Sequence, residues 1–137
     1  MTLEYVVVVQ CQKAHNRCSG FQCANTFYNR ADHFKEYDDK VKYLSFTCGG
    51  CNGKSINAKI YNLAKRAMKK AGLEKDGFTV HFASCITNDN IHSERCVFLE
   101  QMKRIVLKAG FTNIKYGSYI SQSAQKKRDE GIYKTYS

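Results

Sequence analysis

Leu3-Glu4-Tyr5-Val6-Val7-Val8-Val9-Gln10-Cys11 is the stretch from which the fold can be read. Four consecutive valines are apolar on both sides of an extended chain. That suits a central parallel strand covered by helices and does not suit a strand with one wet face. The run ends on a cysteine. Two further strand-like runs end the same way: Val41 to Phe46 leads into Thr47-Cys48-Gly49-Gly50-Cys51-Asn52-Gly53, and Phe78 to Ser84 leads into Cys85. The spacing is equal, 48 − 11 = 37 and 85 − 48 = 37, so a cysteine is delivered to the same place in three successive units.

Helical patterns fill the intervals. Phe21 to about Phe34 places Phe21, Ala24, Phe27, Tyr28 and Ala31 on one side. From near Lys54, the positions Ile56, Ile60, Leu63, Ala64, Ala67, Met68 and Ala71 recur at steps of three and four, and Gly72 supplies the stop. Ser93 is a suitable N-cap for a helix from Glu94 to Ala109 that buries Phe98, Met102, Ile105, Val106 and Ala109, with Gly110 as its stop. Asn113 to Tyr119 reads as a fourth, more polar strand at the sheet edge, weakened by Lys115 and Gly117. The order βαβαβαβ predicts a small doubly wound α/β domain, flavodoxin- or Rossmann-like, with three layers and a mainly parallel sheet of about four strands. Residues 1–120 form this single domain. Residues 121–137 form a basic tail, helical around Ala124 to Glu130 and packed on it.

At 137 residues the chain has enough material for one core, and 43% hydrophobic content is that of a globular domain. The longest aliphatic run, Val6 to Val9, is far short of a membrane span. The first residues lack the pattern of a secretory signal, so the expected location is the cytoplasm. The net charge of +10 raises the question of nucleic acid, but Lys65-Arg66, Lys69-Lys70, Lys103-Arg104 and Lys126-Lys127-Arg128 lie opposite apolar helix positions. That is the pattern of solvated helix faces rather than of a nucleic-acid surface. Part of the charge would offset thiolates gathered around a metal.

Seven cysteines in a chain without an export signal point to metal ligation or redox chemistry rather than to a disulfide framework. In open α/β sheets ligands sit beyond the carboxyl ends of the strands, where Cys11, Cys48 and Cys85 fall. Neighbouring parallel strands are about 4.8 Å apart, within reach of one metal once the side chains turn inward. Cys18, Cys51 and Cys96 follow in the loop or first helical turn after each strand end, which makes three pairs. Cys11, Cys48, Cys51 and Cys85 are the first-choice ligands, with Cys18 and Cys96 next and His15 and His92 as further donors from the same loops. Cys23, on a helix turn, is read as a packing residue with a reserve role. His81 within a strand and His33 near a helix end are read as structural or surface residues. Thiolate ligands suit zinc and iron–sulfur clusters alike, so both stay open, with a redox or metal-delivery protein as the fitting partner.

Two other chemistries fit parts of the chain. Cys11-x5-Arg17 after a central strand resembles the phosphate loop of low-molecular-weight tyrosine phosphatases and arsenate reductases. Its Gln-Lys-Ala-His-Asn interior has no glycine, and the chain has no proline for the phosphatases' Asp-Pro motif. The strand-Cys-x-x-Cys-helix arrangement resembles thioredoxins, again without their cis-proline. Thiol–disulfide exchange with Cys48 as nucleophile and Cys51 as resolving thiol is the alternative function.

Taken together, Cys11, Cys18 and Cys23, Cys48-Gly49-Gly50-Cys51, His81-Phe82-Ala83-Ser84-Cys85, Cys96, Gly117-Ser118-Tyr119-Ile120 and Lys127-Arg128-Asp129-Glu130-Gly131-Ile132-Tyr133 resemble the CGGC-domain family over essentially the whole chain. The resemblance implies a cysteine- and histidine-rich metal-binding protein with no settled reaction. Where members of that family often continue from the last cysteine with Pro-His, this chain has Cys96-Val97-Phe98. The departure favours an all-sulfur site or one drawing on His92.

Overall fold

The computed structural model describes residues 3–50, 55–88, 96–120 and 122–132. Its centre is the valine run. β1 (Tyr5–Gln10) pairs in parallel with β2 (Lys42–Thr47) on one side and β3 (Phe78–Phe82) on the other, and β3 pairs in parallel with β4 (Ile114–Tyr116). The sheet order β2-β1-β3-β4 is an open, all-parallel α/β sheet, with the polar fourth strand at the edge as expected. Val6 to Val9 are all 0% exposed, as a strand covered on both faces requires.

Alternation along the strands sends residues to two cores. Val7, Val9, Val80 and Phe82 face α2 (Ile56–Ala64) and α4 (Leu99–Lys108), where Ile56, Ile60, Met102 and Val106 complete the packing. Val6 and Val8 face α1 (Phe21–Tyr28) and the segment after it, where Phe27, Phe34 and Tyr37 lie. The short α3 (Ser84–Thr87) follows β3, and α5 (Gln122–Asp129) lies in the tail, where Ala124 is buried.

Several sequence expectations are corrected. The first helix ends at Tyr28 rather than near Phe34, because Arg30 and Asp32 adopt φ of +51° and +52° and break the helical path. The Arg30 guanidinium makes this turn specific by donating to the carbonyls of Phe27, Asp38 and Val41 while lying over the Phe27 ring. Of the apolar face assigned to that helix, Phe27 is buried, whereas Phe21 and Tyr28 are exposed. The second helix does not stay regular: from Lys65 to Lys70 it widens to a π-helical turn before Gly72 ends it in the left-handed region. The third starts at Leu99, so Cys96 lies ahead of the helix and not in its first turn. Cys85 does not close its strand directly: β3 stops at Phe82, and Cys85 lies within α3. Ser93 lies outside the described residues.

Candidate metal centre

Each connection at the carboxyl edge is held by local hydrogen bonds that decide where its sulfur goes. After β1 the chain turns at once: the N–H groups of His15, Asn16, Arg17 and Cys18 donate to the carbonyls of Cys11, Lys13, Ala14 and Ala14, at 3.0, 3.3, 3.0 and 2.9 Å. The Ala14 N–H is directed at Cys11 Sγ, 3.4 Å away. An oxyanion cradle around Cys11 would need those amides unengaged, so the phosphatase-like reading of Cys11-x5-Arg17 finds no support in this loop.

After β2, the Cys48 N–H donates to the Gln10 carbonyl at 2.9 Å, which puts Cys48 beside the end of β1. Its side chain is buried among the aliphatic residues of the α2–α4 core. The Ser55 N–H donates back to the Cys48 carbonyl at 3.0 Å and closes the connection. Gly49 has φ of +76°, and a Cβ there would lie 2.3 Å from Ser55 Cβ, so the first glycine of the Cys-Gly-Gly-Cys motif is required on both counts. Lys59 reaches back from α2 to the Thr47 carbonyl at 2.7 Å and to Thr47 Oγ1 at 3.1 Å. It places a cation at this strand end. Cys51, the second cysteine of the motif, and His92 lie outside the described residues.

After β3, the Ala83 N–H donates to the Val9 carbonyl at 2.9 Å, and the chain turns into α3. Cys85 Sγ then accepts the Cys11 N–H at 3.3 Å. This contact spans the ends of β1 and β3, the point in the order β2-β1-β3-β4 where the connections diverge. Desolvation pushes the Cys85 thiol up to about 12; the Cys11 N–H opposes this, and the sulfurs of Cys23, Cys11 and Cys18 add to it. Cys85 is therefore a neutral thiol at pH 7, and a cation would have to displace its proton.

The end of β4 completes the edge. Gly117 and Ser118 fold over Ser84: the Ser118 N–H donates to Ser84 Oγ at 2.8 Å, and the Ser84 N–H donates to Ser118 Oγ at 3.1 Å. Ser118 is 0% exposed. Its hydroxyl also lies 3.2 Å from Cys23 Sγ in the first turn of α1. Neither serine carries a sequence signal of its own beyond sitting next to Cys85 or in the stretch Gly117 to Ile120.

His81, read from the sequence as structural, is a buried member of the same network. Its Nδ1 lies 2.9 Å from the Gly117 carbonyl and its Nε2 lies 2.6 Å from the Tyr37 hydroxyl. A carbonyl can only accept, so Nδ1 carries the proton and Nε2 accepts from Tyr37. Desolvation lowers the imidazole to about 4, against the Gly117 hydrogen bond, and His33 adds to the lowering. His81 is thus a neutral structural residue. His15 is half-buried, and its ring lies within reach of a Cβ built on Gly20.

The structure thus brings Cys11 and Cys85 into contact, sets Cys48 beside the end of β1, and ties Cys23 to the segment that bears Cys85. Cys18 lies in the β1–α1 connection, its Sγ accepting the Gly20 N–H at 3.4 Å. Cys96 is joined to α3 by its N–H, which donates to the Ile86 carbonyl at 2.7 Å. Among the described residues no disulfide joins any two of the cysteines, and no three His, Cys, Asp or Glu side chains are placed to enclose a metal ion. The donors fit a soft metal in kind, and their sulfurs would have to rotate inward to bind it. No helix among the described residues is long and apolar enough to cross a membrane.

Comparison with curated proteins and with solved structures returned no match. The family model described as the CGGC domain matches residues 5–119, which takes in β1 through the Ser118 segment and all seven cysteines, and the chain belongs to the CGGC-domain family.

Proposed function

We propose that the protein binds a thiophilic metal, as zinc or an iron–sulfur cluster, at the carboxyl edge of its sheet, with Cys11 and Cys85 as the central ligands. The observation that carries this reading is the Cys11–Cys85 contact at the β1/β3 switch point, where open α/β sheets hold their ligands. The donor chemistry agrees. A half-buried thiol that desolvation keeps protonated is a poor nucleophile, but it becomes a strong ligand once a divalent cation replaces its proton. Lys59 supplies nearby positive charge at the end of β2.

Bound zinc would supply a structural cross-link or a Lewis acid, and a cluster would supply one-electron transfer. The chain's part in either case is to orient the sulfurs. The Ala14 N–H directs Cys11 Sγ, the Cys11 N–H directs Cys85 Sγ, and the Ser84–Ser118 pair holds the turn that carries Cys85. A redox or metal-delivery protein is the partner class that fits such a site.

The test is iron, sulfide and zinc analysis, with an absorption spectrum, on protein purified without oxygen. Stoichiometric iron and sulfide would establish a cluster, and stoichiometric zinc in a colourless sample a zinc site. Cys11→Ser and Cys85→Ser should each abolish stoichiometric metal. Neither metal in the wild type, with all seven thiols titratable, would overturn the reading in favour of thiol exchange.

A further inference from the structure

At the amino end of the sheet, away from the strand ends that lead to the cysteines, the first residues of β1 and β2 border a cavity of about 520 Å³. That volume is in the range that holds a small organic ligand. The lining combines the rings of Tyr5, Tyr28 and Tyr43 with the cations of Lys40 and Lys42 and the carboxylate of Asp39. No cysteine is among the lining residues, so the cavity is independent of the metal-binding reading.

The rings are held in place. Tyr28 is 68% exposed, yet its ring is braced edge-on by Phe27 at 5.5 Å and lies tilted against Tyr43 at 6.0 Å. A fixed aromatic ring left in the open is a stacking platform. Lys42 Nζ stands 5.5 Å from the centre of the Tyr5 ring, which sets positive charge beside a second ring. Arg30 builds the wall between them: it donates to the carbonyls of Phe27, Asp38 and Val41 and so fixes the segment carrying Asp39 and Lys40 against the end of α1. Carbonyls satisfy its hydrogens without cancelling its charge. The neighbouring Asp38 is taken up by its own turn, its Oδ1 accepting the Lys40 N–H at 2.9 Å. Among the described residues, none of Arg30, Lys40 and Lys42 is ion-paired with a carboxylate.

A plain anion would use these cations alone, and an apolar molecule the rings alone. We propose that the cavity binds a nucleoside 5′-phosphate, with its base stacked on Tyr28, its phosphate at Lys40 and Lys42, and a ring amino group donating to Asp39. These cations are distinct from those of the solvated helix faces, since they come from the turn after α1 and from the start of β2.

The test is calorimetric titration of the full-length protein, at low and moderate salt, with the 5′-monophosphates of adenosine, cytidine, guanosine and uridine. Ribose 5-phosphate and inorganic phosphate serve as base-free probes. A nucleotide with an amino-bearing base should bind with a Kd of about 1 mM or tighter, and the base-free probes about tenfold or more weakly. Tyr28→Ala should weaken nucleotide binding by about 5- to 150-fold, the loss of one stacked base, and Lys42→Ala should weaken it and flatten its salt dependence. Both side chains are exposed, so both variants should keep the wild-type unfolding midpoint. Asp39→Asn should narrow the preference for amino-bearing bases over uridine 5′-monophosphate. A short single-stranded RNA that binds no more tightly than its mononucleotide would assign the cavity to free nucleotide. RNA binding more than about tenfold tighter, with the same loss in Tyr28→Ala, would assign the same chemistry to a strand. No binding of any nucleotide or of the RNA, or binding unaltered by both Tyr28→Ala and Lys42→Ala, would overturn the proposal. Base-free phosphate binding as tightly as the nucleotides would overturn it in favour of a plain anion site.

Discussion

On the α2–α4 face of the sheet Val7, Val9, Val80 and Phe82 meet Ile56, Ile60, Met102 and Val106, and every one of these is 0% exposed. On the α1 face Val6 and Val8 meet Phe27, Phe34 and Tyr37, and between them His81 hydrogen-bonds Tyr37 and Gly117. Dispersion and apolar burial hold the first face, and neither depends on direction. Directional bonds hold much of the second. The Phe34 ring lies tilted at 50° against the His81 ring, centroids 4.9 Å apart, His81 fixes Gly117, and the adjoining Ser118 fixes Ser84 and reaches Cys23. The difference teaches where precision is spent. The α1 face, which carries Cys23, is tied largely by hydrogen bonds, and the α2–α4 face, against which Cys11, Cys48 and Cys96 pack, is held by apolar burial.

The largest effect belongs to the apolar face. Phe82→Ala should cost about 3–5 kcal/mol in denaturant unfolding at pH 7, through lost burial and the cavity left behind. A loss below about 1 kcal/mol would mean that this core is loosely packed and would break the comparison.

Acid should expose the polar face. Because the folded His81 sits at about 4 and an ordinary histidine at 6.5, its contribution is fully present above pH 6.5 and is lost as pH falls toward 4, about 3 kcal/mol in all. Unfolding midpoints measured from pH 7 to pH 4, with an NMR titration of the imidazole, check this. Titration of His81 near its ordinary value would show that Tyr37 and Phe34 do not shield it.

Tyr37→Phe sharpens the same point. It removes the Tyr37 donor to Nε2 while keeping the ring, and should cost about 1–3 kcal/mol at pH 7. A neutral result by the same unfolding assay would assign the cohesion of this face to the aromatic rings alone.

Phe21→Ser should be the smallest change, within about 0.5 kcal/mol, since Phe21 is 64% exposed although helical spacing placed it on the inner side. A cost above about 2 kcal/mol would restore the long first helix that the periodicity predicted.

Much of the fold was legible because it rests on repeated, local signals. The valine run, the heptad-like Ile56 to Met68 pattern, and glycines at 72 and 110 each act through their own neighbours, and all fall where the sequence placed them. The early end of α1 was not legible. It depends on Arg30 finding the Asp38 and Val41 carbonyls, a contact formed only once the next strand is in place. The π-helical turn after Ala64 and the late start of α4 are likewise settled by packing rather than propensity. Of the candidate site, the position of Cys11 and Cys48 directly after two neighbouring strands was legible, whereas that of Cys85 within α3, past the end of β3, was not. The Ser84–Ser118 pair and the setting of Cys23 were not, because their partners are separated by 34 and 95 residues and no local pattern links them.

By itself, then, the sequence determined the parallel α/β class, the family, and the delivery of cysteines to one edge, since strand burial, helix stops and strand-end position are properties of short stretches. Only the tertiary structure decided which sulfurs meet, that Cys85 lies where desolvation keeps it neutral, and that His81 is a strut. Those are properties of distance and dielectric, and they exist only after residues remote in the chain have been brought together.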